Sequence, residues 1–133
     1  MSARWTEAEY ADWIQRRAQA APNAEALCVV LARTSEQDFL AWVRTEARAW
    51  GWLTYHTRDS RGSDAGFPDL VLARPGHPLI LAELKTQNGK LSEEQMIWIG
   101  ILEKVIGVLA SVWRPSDKAA ITALLSAPTP TGI

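Results

Sequence analysis

The chain has 133 residues, a length that suits one compact domain around one core. Hydrophobic residues make up 47% and charged residues 22%, ordinary globular usage that argues against wholesale disorder. A formal net charge of −1 argues against a protein that coats nucleic acid by bulk positive charge, but not against a carboxylate-rich site whose metal supplies positive charge locally.

Ten of the 14 basic residues are arginines, whose planar guanidinium suits phosphate. Most of the seven tryptophans are expected to pack in the core or between helices. The one cysteine, Cys28, lies in the apolar run Leu27-Cys28-Val29-Val30-Leu31 and reads as a buried structural thiol. Alone it builds neither an internal disulfide nor a zinc cluster. The first residues lack the basic-then-apolar layout of a signal peptide, and no apolar run is long enough to span a membrane, so a cytoplasmic location is expected.

Residues 5–20 read as a helix with Thr6 as its cap, broken by Ala21-Pro22-Asn23. Thr34 or Ser35 caps a second helix to about Trp50, with Phe39, Leu40, Val43 and Ala47 at helical spacing and Gly51 as terminator. Residues 52–57 are aromatic and β-favouring and predict a strand. Residues 58–66 are a polar loop, residues 68–73 a strand with proline at its start, and residues 74–78 a turn. Residues 79–85 form a third strand. Ser92 caps a helix to about Ile106, with Glu93 and Glu94 in its first turn. Residues 107–113 are apolar enough to predict an interior strand, and residues 115–125 a last helix. The expected fold is an α/β sandwich: a central mixed sheet flanked by helices. Residues 1–33 are expected to be a helical extension, within the domain or at a dimer interface. Residues 34–126 form the main domain, and residues 127–133 a loose tail.

In the strand Leu79-Ile80-Leu81-Ala82-Glu83-Leu84-Lys85, alternation puts Glu83 and Lys85 on one face and Leu84 on the other. If the strands on either side of the 74–78 turn form a hairpin, Asp69 comes close to Glu83. Converging carboxylates repel unless a positive charge lies between them, and oxygen ligands suit magnesium or manganese. Such an ion activates water and polarises a phosphodiester, while Lys85 orients that water or neutralises developing charge. The alternative is a solvated surface ion pair of little energetic weight.

Phe67-Pro68-Asp69 with Glu83-Leu84-Lys85 resembles the PD-(D/E)xK nuclease signature, and more specifically its VRR-NUC branch. The resemblance runs from about Ser35 to Leu125. It includes Glu36 ahead of an apolar helical face, Gly51-Trp52, Ser92-x-x-Gln95-x-x-Trp98 and Val112-Trp113-Arg114-Pro115-Ser116-Asp117. The Val-Arg-Arg motif that names the branch is absent as such, because Val112 is followed by Trp113-Arg114.

The resemblance implies a restriction-endonuclease-like fold. It also implies a magnesium- or manganese-dependent DNA endonuclease that resembles Holliday-junction resolvases, with branched DNA as substrate and a homodimer as the working form. No membrane or small-molecule cofactor is expected. By this resemblance Asp69 and Glu83 are metal ligands with the Leu84 carbonyl and Glu36. Lys85 is the catalytic lysine, and Gln95 supports the site. Glu36 has an equal alternative as a first-turn acid facing the helix dipole. Arg58, Ser60, Arg61 and Ser63, in the loop before Asp69, and Lys90 are candidate DNA-backbone contacts. His56 is a weaker candidate for phosphate contact or proton transfer, and His77 is expected to have no chemical part. A non-catalytic nucleic-acid-binding module that retains the fold is the alternative function. A third is an interaction or immunity protein with an accidental motif.

Overall fold

The computed structural model describes residues 6–9, 11–12, 16, 24–57 and 64–129. Thr6 and Glu9 cap each other: Thr6 N donates to Glu9 Oε2 at 2.7 Å, and Glu9 N donates to Thr6 Oγ1 at 3.2 Å. This reciprocal pair satisfies two N-terminal amides, and the described residues that follow, up to Arg16, are helical. The rest of the predicted 5–20 helix lies outside the described residues.

The first complete helix, α1 (Ala24–Arg33), carries Cys28. Here the sequence expectation is corrected, since Cys28 is exposed. Leu27, Val29 and Val30 are exposed with it. Neighbours in an apolar run share a core only if their backbone lies within one. A helix turns successive residues away from each other, and α1 lies at the periphery.

Ser35 Oγ accepts from Asp38 N at 3.0 Å and starts α2 (Glu36–Ala49). Phe39, Val43 and Ala47 recur every fourth residue, form one stripe and are fully buried. Gly51 then turns the chain at φ +87°, beyond the helix end as predicted. The strands β1 (Leu53–His56), β2 (Leu70–Ala73), β3 (Leu79–Leu84) and β4 (Val108–Trp113) form one sheet in the order β1-β2-β3-β4. The first two pairings are antiparallel and β3–β4 is parallel, so the sheet is mixed as expected. In this sheet β4 is an edge strand, not an interior one. Its apolar character comes from helices packed on its faces, not from strands on both sides.

Between β3 and β4 runs α3 (Glu93–Leu102), shorter than the predicted span because the chain turns through residues 103–107 to bring Val108 beside Leu79. A 3₁₀ turn (Pro115–Asp117) and α4 (Lys118–Leu125) complete the fold. Alternation sorts the sheet into two faces. Leu70, Leu72, Ile80, Ala82, Leu84 and Trp113 meet the α2 stripe and Ile121 and Leu125 of α4 in one core. The indole of Trp52 closes one end of it, donating to the Leu125 carbonyl at 3.0 Å. The opposite face carries Leu81 and Ala110, and α3 packs against it at β4. Beyond α4, Arg74 donates to the Ala127 carbonyl and His77 pairs with Thr129 Oγ1, so the chain is tied down as far as Thr129.

The exposure of α1 is directly testable. A thiol-specific chromogenic reagent should modify Cys28 in the folded protein without denaturant, at a rate close to that of a free thiol. Protection until the protein is unfolded would contradict this placement of α1.

Candidate active site

Strand register brings the two acids together. Leu70 pairs with Ala82, so the next pair outward along the ladder is Asp69 opposite Glu83. Both side chains point to the face that α3 partly covers. Lys85 follows two residues after Glu83 on the same face, its backbone amide held by the Trp113 carbonyl at 3.0 Å. The predicted trio is therefore brought together. Lys85 Nζ lies 3.6 Å from Glu83 Oε1, within pairing distance whenever Glu83 is ionised, and both side chains are largely shielded from water.

Asp69 is fixed by its own backbone neighbourhood. Its Oδ2 accepts from the Leu84 amide at 3.0 Å. The segment leading into it is pinned to α3. Trp98 Nε1 donates to the Ala65 carbonyl at 3.2 Å, and the Phe67 ring meets the Trp98 ring edge-on with centroids 5.2 Å apart. Gly66 makes this approach possible. It adopts φ +94°, and a Cβ there would stand 2.5 Å from the Glu94 backbone.

Glu83 is buried, with 1% of its surface exposed. Gln95 reaches it from α3, donating from Nε2 to Glu83 Oε1 at 2.7 Å. The other end of the same amide accepts from the Ser92 backbone at 2.8 Å, completing a capping box with the Ser92 hydroxyl. Helix start and site are thereby locked together, and the amide can present only its NH₂ end to Glu83. Glu83 Oε2 is buried with no hydrogen-bond partner among the described residues. Burial, and then the negative charge of Asp69, push the Glu83 carboxyl up to about 8, and Lys85 only partly opposes this. Near neutral pH the site therefore holds a proton where it could hold a cation. Two adjacent carboxyls, one with an unpartnered oxygen, are a donor set that a hard divalent ion can satisfy.

Other residues fall elsewhere. Glu36 is an exposed first-turn residue of α2, the helix packed on the other face of the sheet. No group of three His, Cys, Asp or Glu side chains suited to a metal is gathered among the described residues, so Glu36 does not join Asp69 and Glu83. His56 pairs with Leu70 and therefore faces away from Asp69. His77 packs on Trp52 at 5.2 Å, and burial, then Arg74, lower its pKa. Lys90 is exposed just beyond the turn that follows Lys85. Arg58, Ser60, Arg61 and Ser63 lie outside the described residues.

Sequence reasoning did not find Arg114. Its Nη1 donates to the carbonyls of Thr86 at 2.8 Å and Gly89 at 2.6 Å, with a longer 3.4 Å approach to that of Gln87. It thus gathers the turn that follows Lys85. Gln87 adds two bonds to Ser116 at 3.0 Å each. Only the local motif Arg114-Pro115-Ser116-Asp117 hinted that this segment mattered.

Among the described residues no helix is long and apolar enough to cross a membrane. No curated protein and no solved structure matches the chain. The family model described as the VRR-NUC domain matches residues 3–116, beginning well before Ser35. The match spans most of the chain and includes Asp69, Glu83, Lys85 and Gln95, and the chain belongs to the VRR-NUC family of the PD-(D/E)xK nuclease superfamily.

Proposed function

We propose that this protein is a divalent-metal-dependent DNA endonuclease that hydrolyses phosphodiester bonds at Asp69, Glu83 and Lys85. The observation that carries this reading is the sealed Glu83 carboxyl, with an unpartnered oxygen, between Asp69 and Lys85. A bound magnesium or manganese ion would polarise the scissile phosphate and acidify a water. Asp69 and Glu83 would hold that ion, with the carbonyl of Leu84, the residue after Glu83, as a further oxygen. Gln95 keeps Glu83 aimed into the site. With Glu83 holding a cation, Lys85 would orient the attacking water or meet charge growing on the phosphate.

Branched DNA is the substrate class we favour. Two symmetric strand cuts at a four-way junction call for two active sites related by a two-fold axis, as a homodimer supplies. The outward surface of α3 supports such a dimer, because Met96, Ile97 and Ile101 are exposed there, with Val105 and Ile106 just beyond.

Lys85→Ala and Asp69→Ala should each reduce magnesium-dependent cleavage of junction, flap or duplex DNA by at least about a hundredfold, the scale of losing a principal electrostatic or acid–base group. Equal cleavage by both variants would move the active site elsewhere. Junction binding without cleavage in any divalent metal would leave a binding module.

The pH dependence follows from Glu83. A carboxyl near 8 in the folded chain, against 4.5 for an ordinary glutamate in the unfolded chain, favours the protonated form in the folded protein. Its contribution to metal-free stability is therefore full below about 4.5 and is lost as pH rises through about 8. The metal-free melting temperature should fall across that window, and Glu83→Gln should flatten the fall. Cation binding displaces the proton, so affinity for magnesium should rise over the same range. A pH-independent affinity would contradict this.

Arg58 and Arg61 precede the Asp69 segment, and we assign them to the DNA backbone. The double alanine variant should weaken binding uniformly across sequences. It should also reduce the slope of log affinity against log salt by roughly 2, about 0.9 per phosphate contact. An unchanged slope would remove these residues from the interface.

A further inference from the structure

Two buried side-chain polar atoms have no hydrogen-bond partner among the described residues: Glu83 Oε2 and Thr57 Oγ1. They lie in the same part of the fold. Thr57 N donates to the Asp69 carbonyl at 2.7 Å, which extends the β1–β2 ladder one pair beyond His56 and Leu70. Asp69 in turn stands opposite Glu83 when the β2–β3 register is continued by one pair. Thr57, Asp69 and Glu83 therefore form one row across three strands, spaced about 5 Å apart. In such a row, side chains project to the same face.

A buried hydroxyl without a partner is costly, and natural proteins retain few. Valine has the same shape, favours strands at least as well and carries no such cost. The feature that threonine adds at this position is the hydroxyl itself. The other orphan in the row belongs to Glu83, where the proposed cation would sit. Thr57 lies on the far side of Asp69 from Glu83, too distant to share that ion directly. It is well placed to accept from, or donate to, a water held by it.

We infer that Thr57 is a metal-positioning residue, its hydroxyl hydrogen-bonding a water carried by the divalent cation on Asp69 and Glu83. This rests on the metal-dependent reading above. Thr57 acts through the water and the carboxylates, not on the phosphodiester. Outer partners of this kind typically change metal affinity by ten- to a hundredfold.

The test is Mn²⁺ titration of the full chain by calorimetry, with metal-free thermal melting alongside, for the unsubstituted protein, Thr57→Val and Thr57→Ser. Thr57→Val should lose roughly tenfold or more in Mn²⁺ affinity. It should melt no lower than the unsubstituted protein without metal, because an unsatisfied hydroxyl has been removed. Thr57→Ser should retain most of the affinity. Three results would overturn the inference: Thr57→Val binding Mn²⁺ as tightly as the unsubstituted protein, Thr57→Ser losing as much affinity as Thr57→Val, or a clearly lower metal-free melting temperature for Thr57→Val. If the unsubstituted protein itself binds no Mn²⁺, the metal-dependent reading fails and this inference fails with it. That result is distinct from a failure confined to Thr57.

Discussion

Burying the carboxyl of Glu83 is the constraint around which the site face is arranged. It stands on β3, between Ala82 and Leu84, both inside the core on the other face. An ionised carboxylate removed from water carries a penalty of several kcal/mol unless it is paired and hydrogen-bonded. Gln95 satisfies one oxygen, and Lys85 approaches the same one. Asp69, directly opposite, adds a second negative charge. What can relieve the pair is positive charge, supplied as a proton or as a metal ion. Perturbed carboxyls of this kind gather at functional sites, where desolvation and a neighbouring charge are put to chemical use.

Such a pair is useful only if it cannot relax by moving apart. The surrounding bonds prevent that from several directions. Asp69 is tied to the backbone of the strand that bears Glu83, so the two acids move as one unit. Gln95 is held at its other end by the start of its own helix, so it cannot turn away without breaking the cap. Trp98, on the same helix, pins the chain ahead of Asp69, and the missing side chain of Gly66 lets that chain touch the helix backbone. Arg114, at the end of β4, draws in the turn after Lys85. The parallel β3–β4 pairing brings Arg114 and Lys85 to the same end of the sheet, so the topology is itself part of the site.

The legible part of this site was the part governed by period and local turns. A five-residue turn between two strands implied a hairpin, and strand alternation then predicted that Glu83 and Lys85 share a face near Asp69. Ser35, Ser92 and Gly51 announced helix ends through their own chemistry. Links that depend on the distance between layers were not legible. The hold of Arg114 on residues 86–89 and the alignment of Thr57 with Asp69 follow from register and packing, neither of which a linear pattern contains. Two misreadings share one cause. In the sequence, the apolar residues of Cys28's run and of β4 suggest depth. In fact α1 lies at the surface, and β4 is an edge strand covered on its faces. Hydrophobicity reports contact with something apolar, not position at the centre. Glu36 shows the converse limit, because an acid at a helix start is already accounted for by the dipole.

The two faces of the sheet also differ in a way that bears on substrate size. On the core face, helices close over the strands, and Phe39, Leu70, Leu72, Ile80 and Leu125 are sealed. On the site face α3 packs at β4, whereas at β1 Leu53 is 78% and Tyr55 65% exposed. Both β1 side chains share the face of Thr57 and Asp69. Among the described residues the site is therefore walled by α3 on one side, while on the other the face is half-buried at β2 and exposed at β1. Enclosure would suit a small molecule, most of whose surface must be buried to bind. A polymer must instead lie across the surface and pass beyond it, touching the catalytic groups at one point only. Among the described residues, an acidic pair recessed beside α3 and bordered by the exposed Leu53 and Tyr55 has a shape that accords better with the polymer substrate proposed above than with an enclosed small molecule.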